Sequence, residues 1–206
     1  MTDISGSIVF GILTAWNIVM TVRERRKASE LYGHLGLSIF FGTLLFSFFP
    51  FPDETFGRVF HSFFINTAVL QIAGLSIVLV GVFPYLFALI TLRARGSPEK
   101  RRHLETGSLV TSGIYRYVRH PMALAVFMLC FGLMLWRPSI ASIIAYIVVA
   151  LFYIVIQRRE EEALISKFGD GYRRYREQVP ALNIIQGLIR VITSKRGKAS
   201  TSNYRD

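Results

Sequence analysis

Five long runs without a single Asp, Glu, Lys or Arg constrain what this chain can fold into. They are Ile4–Val22, Leu31–Pro52, Ser62–Leu92, Pro121–Trp136 and Pro138–Gln157. A helix crosses the hydrocarbon core of a bilayer in roughly 20 residues, with about 17–25 typical. In lipid every backbone polar group has to be satisfied internally, so runs of this length read as helices. The fourth is slightly short. The third is long enough at about 1.5 Å per residue to tilt or project beyond the bilayer, and Pro84 within it offers a kink. Gly74, Gly81 and Ala88 recur there at heptad spacing, which sets small residues on one face for close helix packing. With 52% hydrophobic residues in 206, the chain is too apolar for an ordinary soluble domain. The expected fold is all-α: a polytopic membrane protein of about five transmembrane helices, organised as a single integral membrane domain over residues 1–206.

The charges assign the sides. Of the 24 Lys and Arg residues, all but Arg58 and Arg137 lie in Arg23 to Lys27, in the Arg93–Arg119 segment or after Gln157. By the positive-inside rule those segments are cytosolic, so the N-terminus is extracytosolic and the C-terminus cytosolic. The net charge of +11 is therefore read as topology signal and lipid headgroup contact. No nucleic-acid-binding signature accompanies it, and no nucleic acid partner is expected. Asp3 precedes the first run, no basic residue does, and no small-residue cleavage site follows, so that run is expected to be retained. The lone Cys130 lies inside an apolar run and reads as a packing residue, which leaves no disulfide framework and no thiolate metal site. No metal is expected. The polar stretch of residues 193–206 reads as a disordered tail.

Two segments expected on the cytosolic side carry more functional groups than anchoring requires. One is Gly107-Ser-Leu-Val-Thr-Ser-Gly-Ile-Tyr-Arg-Tyr-Val-Arg-His-Pro121; the other runs from Arg158-Arg-Glu-Glu-Glu162 through Phe168-Gly-Asp-Gly-Tyr172 to Tyr175. Pro121 suits the first position of a helix, which puts His120 at its N-cap. Only Arg137, or Arg137 with Pro138, joins the fourth helix to the fifth, so the two form an antiparallel hairpin, and equal rises along it bring His120 near the level of Tyr153 to Gln157. Leu164, Phe168, Tyr172, Tyr175 and Val179 follow helical spacing and mark one apolar face. Glu160 and Glu161 share that side, and Glu162 points away. Carboxylates directed at a buried face need a cation. That cation is either an arginine (Arg116, Arg119, Arg158 or Arg159) or a cationic ligand group, with Arg119 and His120 available for the ligand's anionic end.

At these residues the chain resembles the isoprenylcysteine carboxyl methyltransferase and phospholipid methyltransferase superfamily. The resemblance rests on Leu109-Val-Thr-Ser-Gly-Ile-Tyr-Arg-Tyr-Val-Arg-His-Pro-Met122, then Glu160-Glu161, Leu164, Phe168-Gly169, Tyr172, Tyr175 and Val179-Pro180. It covers roughly residues 96–182, whereas residues 1–95 match only as generic transmembrane helices. It implies a cytosolic S-adenosylmethionine site at the end of the hairpin and a lipophilic acceptor arriving from the bilayer. It further implies that Leu109, Val110, Gly113, Tyr115, His120, Pro121, Glu160, Glu161 and Tyr172 bind the cofactor, and that Arg119 and His120 are the catalytic pair. The preferred acceptor is a carboxylate of the isoprenylcysteine type. A phospholipid amine or small thiol, a sterol-reductase-like enzyme using NADPH, and a non-catalytic lipid-binding relative are the alternatives. The chain departs from the family pattern at Ala123, where Tyr is usual, and at Leu182-Asn183, where the pattern often ends in Pro.

The charge asymmetry makes a direct prediction. In a Cys130→Ala background, Ser62→Cys is labelled from outside intact cells by a membrane-impermeant maleimide and Ser200→Cys is not. The reverse pattern overturns the orientation.

Overall fold

The computed structural model describes residues 4–23, 28–46, 67–95 and 107–202, and the Asp53–His61 loop and the Arg25–Lys27 cluster used to assign sides lie outside them. Among the described residues the chain is all helical. In order come α1 (Ile4–Arg23), α2 (Ala28–Phe46), α3 (Thr67–Arg95), a single 3-10 turn (Gly113–Arg116), α4 (Pro121–Trp136), α5 (Ile140–Phe168), α6 (Asp170–Gln178) and α7 (Ile184–Ser202). The described part of each of the five apolar runs falls on a helix, α1 to α5, apart from Pro138 and Ser139 before α5. Two of these, Ala68–Arg95 and Ile140–Phe168, are long and apolar enough to cross a membrane. Only 17% of the most apolar stretch of each is buried, which separates them from the core helices of a soluble protein. α3 presents Val69, Ile72, Leu79, Phe83 and Ile90 outward, a surface suited to lipid rather than water.

The described contacts group the chain into two compact units, one of Met1–Gly81 with Val126–Glu162, the other of Val82–Ala125 with Ala163–Asp206. The core of the first is Phe10, Phe40, Phe41, Leu44, Cys130, Ala145 and Val149, so the lone cysteine is a packing residue. Between α1 and α2 the only polar join described is His34 Nδ1 to Asn17 Oδ1 at 3.3 Å, with Asn17 buried and its amide donating to the Leu13 carbonyl. The small-residue face of α3 is used in this unit. A Cβ on Gly74 would collide with the Gly132 carbonyl oxygen and approach the Trp136 amide to 2.9 Å, so α3 and α4 meet there almost backbone to backbone.

α4 and α5 form the expected antiparallel hairpin, with Phe127 against Tyr153 and Phe131 against Tyr146 at ring separations of 5.8 and 5.6 Å. The turn is Arg137-Pro138-Ser139, one residue longer than the sequence reading, because Ser139 caps α5 and is not part of it. Its hydroxyl accepts the Ser142 N–H at 3.1 Å, and the Ser142 hydroxyl accepts the Ser139 N–H at 2.9 Å, a reciprocal cap in which serine takes the place usually held by Glu or Gln. Both serines are fully buried, so these bonds satisfy amides that water does not reach.

The second unit holds the 3-10 turn, the start of α4, the short helix α6 and α7. The apolar face read at helical spacing from Leu164 to Val179 packs as one cluster with Leu109, but the helix beneath it is broken. α5 ends at Phe168 and α6 begins at Asp170, with Gly169 between them at φ 57°, a left-handed conformation that favours glycine. α7 is helical to Ser202, through residues that the sequence reading assigns to a disordered tail.

The Ser139–Ser142 cap predicts that Ser139→Ala lowers the unfolding free energy by about 0.5–2 kcal/mol without changing the helical signal of the folded state. Denaturant titration in detergent, followed by tyrosine and tryptophan fluorescence, measures it. An unchanged midpoint contradicts the role given to the cap.

Candidate functional site

The site is built in the second unit from two stretches far apart in sequence. Gly113 opens the 3-10 turn at φ 61°, and a Cβ there would lie 2.6 Å from the Thr91 hydroxyl oxygen on α3, so glycine is required both by conformation and by space. The turn closes with the Tyr117 and Val118 amides donating to the Ile114 carbonyl. The next two residues are tied elsewhere. The Arg119 and His120 amides donate to the Pro180 and Ala181 carbonyls, both at 3.0 Å, which pins the segment before α4 to the segment after α6.

α4 starts at Pro121, and the His120 carbonyl accepts the Leu124 amide at 3.0 Å, so His120 is the N-cap that the position of Pro121 implies. His120 is 6% exposed, Val118 and Pro121 are fully buried, and the helix start with its positive dipole end is thus held inside the unit. Ala123 is buried one turn on, so a phenol at this position would need space that the small side chain does not occupy.

α6 supplies the aromatic wall. Tyr172 and Tyr175 are buried edge to face at 5.8 Å, and the Tyr175 hydroxyl donates to the Tyr115 carbonyl at 2.7 Å. Burial pushes the Tyr175 phenol well above its ordinary range. Tyr172 and Tyr115 push the same way, and Arg119 and Arg190 oppose them. α7 closes against the same turn. A Cβ on Gly187 would collide with the Tyr117 carbonyl oxygen and lie 2.6 Å from its carbonyl carbon, so helix and turn touch backbone to backbone. Arg190 reaches from α7 to the Arg116 carbonyl at 2.9 Å with Nη2 and to the Gln178 carbonyl with Nη1. Asn183, at the departure from the family pattern, caps α7, its Oδ1 accepting the Gln186 amide at 3.0 Å. Beside the turn lies a cavity of about 660 Å³ lined by residues of this unit alone, among them Gly113, Arg116, Tyr175 and Arg190.

The residues singled out from sequence distribute as follows. Leu109, Val110, Gly113, Tyr115, Arg119, His120, Pro121 and Tyr172 all belong to the second unit, where Gly113 lines the cavity and Leu109 packs on the Tyr172 cluster. Glu160 and Glu161 belong to the first unit, near the C-terminal end of α5. Glu161 is half-buried, but Glu160 is as exposed as Glu162, contrary to the reading that both are aimed at a covered face. Helical phase gives a side chain's direction and does not by itself set its exposure. Arg190, Arg95, Thr111 and Ser112 were not singled out as site residues. Arg190 lies beyond both motifs, and nothing local in the sequence marks it.

The phospholipid methyltransferase family matches residues 69–171, half of the chain, including the 3-10 turn, α4, α5 and the glutamates. The chain belongs to that family. Relatives among curated proteins include the protein-S-isoprenylcysteine O-methyltransferase of Schizosaccharomyces pombe, 32% identical over 130 residues, with 59% of this chain and 53% of that one covered. The enzyme of the same name from Rattus norvegicus is 32% identical over 123 residues, 58% of this chain and 43% of that one. The chain thus spans about half, or less, of the length of the curated relatives it matches. No solved structure matches it.

The bond from Tyr175 to Tyr115 yields a prediction with a sign. A phenol whose folded pKa is raised stabilises the fold fully below its unfolded pKa of about 10 and loses that contribution as pH rises above it. Tyr175→Phe therefore costs about 0.5–1.5 kcal/mol at neutral pH. It also flattens the fall in stability of the wild-type protein above pH about 10. Melting in detergent from pH 7 to 11 measures both, and parallel curves contradict the assignment.

Proposed function

We propose that the protein transfers a methyl group from S-adenosylmethionine to a lipophilic acceptor at the cytosolic face of a membrane, with a carboxylate of the isoprenylcysteine type as the foremost acceptor. The observation that carries this reading is the family membership taken together with relatives that bear the name protein-S-isoprenylcysteine O-methyltransferase. A phospholipid amine is the second reading, favoured by the description of the family itself. A span of five membrane helices with the C-terminus cytosolic is part of the proposal, because it puts the Leu109–Pro121 segment on the side where the cofactor is found.

The donor set fits such a cofactor. His120 and Pro121 are buried at the start of a 16-residue helix, and a helix start favours a carboxylate through its orphan N–H groups. The buried ring of Tyr172 offers a π-face suited to a cation. In the proposal Glu160 and Glu161 hold the amino group, and Gly113 and Tyr115 supply backbone to the cofactor's body. S-adenosylmethionine, when bound, supplies a methyl already activated by its sulfonium. Arg119 orients the anionic end of the cofactor or the acceptor carboxylate. A carboxylate acceptor is ionised at pH 7, so the protein has to align it and exclude water and no general base is needed. An amine acceptor would have to lose a proton, a task for which His120 is the nearest group by type.

Glu161→Gln keeps the shape of the side chain and removes its charge. Loss of a charge-assisted hydrogen bond of about 1.5–3 kcal/mol weakens S-adenosylmethionine binding about 10- to 150-fold. Glu162→Gln leaves binding unchanged. Calorimetric titration of both detergent-purified variants is the measurement, and unaltered affinity in Glu161→Gln removes the glutamates from the cofactor site.

A further inference from the structure

Three arginines converge on the cavity of the second unit, and neither the methyl transfer reading nor the sequence motifs use two of them. Arg95 comes from the end of α3, Arg116 from the 3-10 turn and Arg190 from α7, and Thr111 and Ser112 add hydroxyls to the same lining. None of the described lining residues is acidic. Arg190 is held in place by its bonds to the Gln178 and Arg116 carbonyls, neutral acceptors that fix its position without neutralising its charge. Like charges brought together by three separate elements repel unless an anion meets them. Guanidinium groups with neighbouring hydroxyls match a phosphate, which takes bidentate and single hydrogen bonds at once. The volume of about 660 Å³ is that of a small-ligand site.

We propose that this cavity binds a phosphate group through Arg95, Arg116 and Arg190. Two sources share that chemistry, the headgroup of an anionic phospholipid and a soluble phosphate. The surface beside the cavity favours the lipid. On α7, Gly187 and Val191 face inward, whereas Ile185, Leu188, Ile189 and Ile192 form an exposed stripe at helical spacing, with Arg190 between the two faces. A helix of this pattern rests its apolar side in acyl chains and keeps its cation at headgroup level. The inference uses none of Glu160, Glu161 and His120, and the cavity shares with the proposed cofactor site only Gly113.

The test uses the full chain in detergent, with short-chain phosphatidic acid, diacylglycerol of the same chain length and inorganic phosphate as probes, and thermal shift with titration as the readout. Wild-type protein binds phosphatidic acid at least ten-fold more tightly than diacylglycerol, and inorganic phosphate competes. Arg95→Gln with Arg116→Gln loses ten-fold or more for phosphatidic acid and nothing for diacylglycerol, whereas Arg173→Gln, on the exposed face of α6, keeps the wild-type affinity. Inorganic phosphate binding as tightly as phosphatidic acid assigns the site to a soluble phosphate. Equal affinity for phosphatidic acid and diacylglycerol without competition by phosphate overturns the proposal, as does a folded double variant with wild-type affinity. Should the double variant fail to fold, the competition experiment on wild-type protein decides alone.

Discussion

The Arg119 and His120 amides are spent on the Pro180 and Ala181 carbonyls, and the arrangement of the second unit follows from that pairing. The amides of the residues just before α4 cannot bond within a helix, because they precede it, and His120 is buried where water does not compensate. The segment after α6 solves the problem by supplying carbonyls. Once the two segments are joined, Tyr175 comes within reach of the Tyr115 carbonyl, and α7 is launched from Asn183 back over the 3-10 turn. The departure from the family pattern at Asn183 is therefore a helix cap.

The apolar helices obey the same requirement by a different route. Thr14, Thr21, Ser38, Thr43, Ser76 and Thr91 each donate a hydroxyl to the carbonyl four residues earlier on their own helix. In water such bonds compete with solvent; on helices that expose apolar side chains they satisfy hydroxyls where lipid offers nothing. The reciprocal serines at the start of α5 extend this economy to the turn of the hairpin. These hydroxyls thus find backbone partners on their own helices.

Close backbone contact is the second recurring device. Gly74 against Gly132 in the first unit, and Gly113 against Thr91 and Gly187 against Tyr117 in the second, are places where a methyl group would force elements apart. The last two flank the 3-10 turn from opposite partners, so the turn is clamped between α3 and α7. A turn held in this way presents Arg116 and the backbone of Gly113 to the cavity without depending on its own four residues for rigidity.

The sequence by itself determined the helical character of the five apolar runs, the start of α4 at Pro121 with His120 as its cap, the hairpin of α4 and α5, and the apolar face from Leu164 to Val179. Each of these is set by local stereochemistry or by the period of apolar residues, both of which can be read along the chain. Family membership was legible for the same reason, since its motif residues stand at recognisable spacing. Only the tertiary structure decided that Gly169 breaks the last apolar face into two helices, that Glu160 is exposed although it shares a helical phase with Leu164, and that Arg190 reaches across to Gln178 and Arg116. Phase along one helix carries no information about what lies opposite it, and an arginine whose partners are carbonyls leaves no complementary charge in the sequence to point to it. The cavity with its three arginines comes from separate elements, and nothing short of the fold could place them side by side.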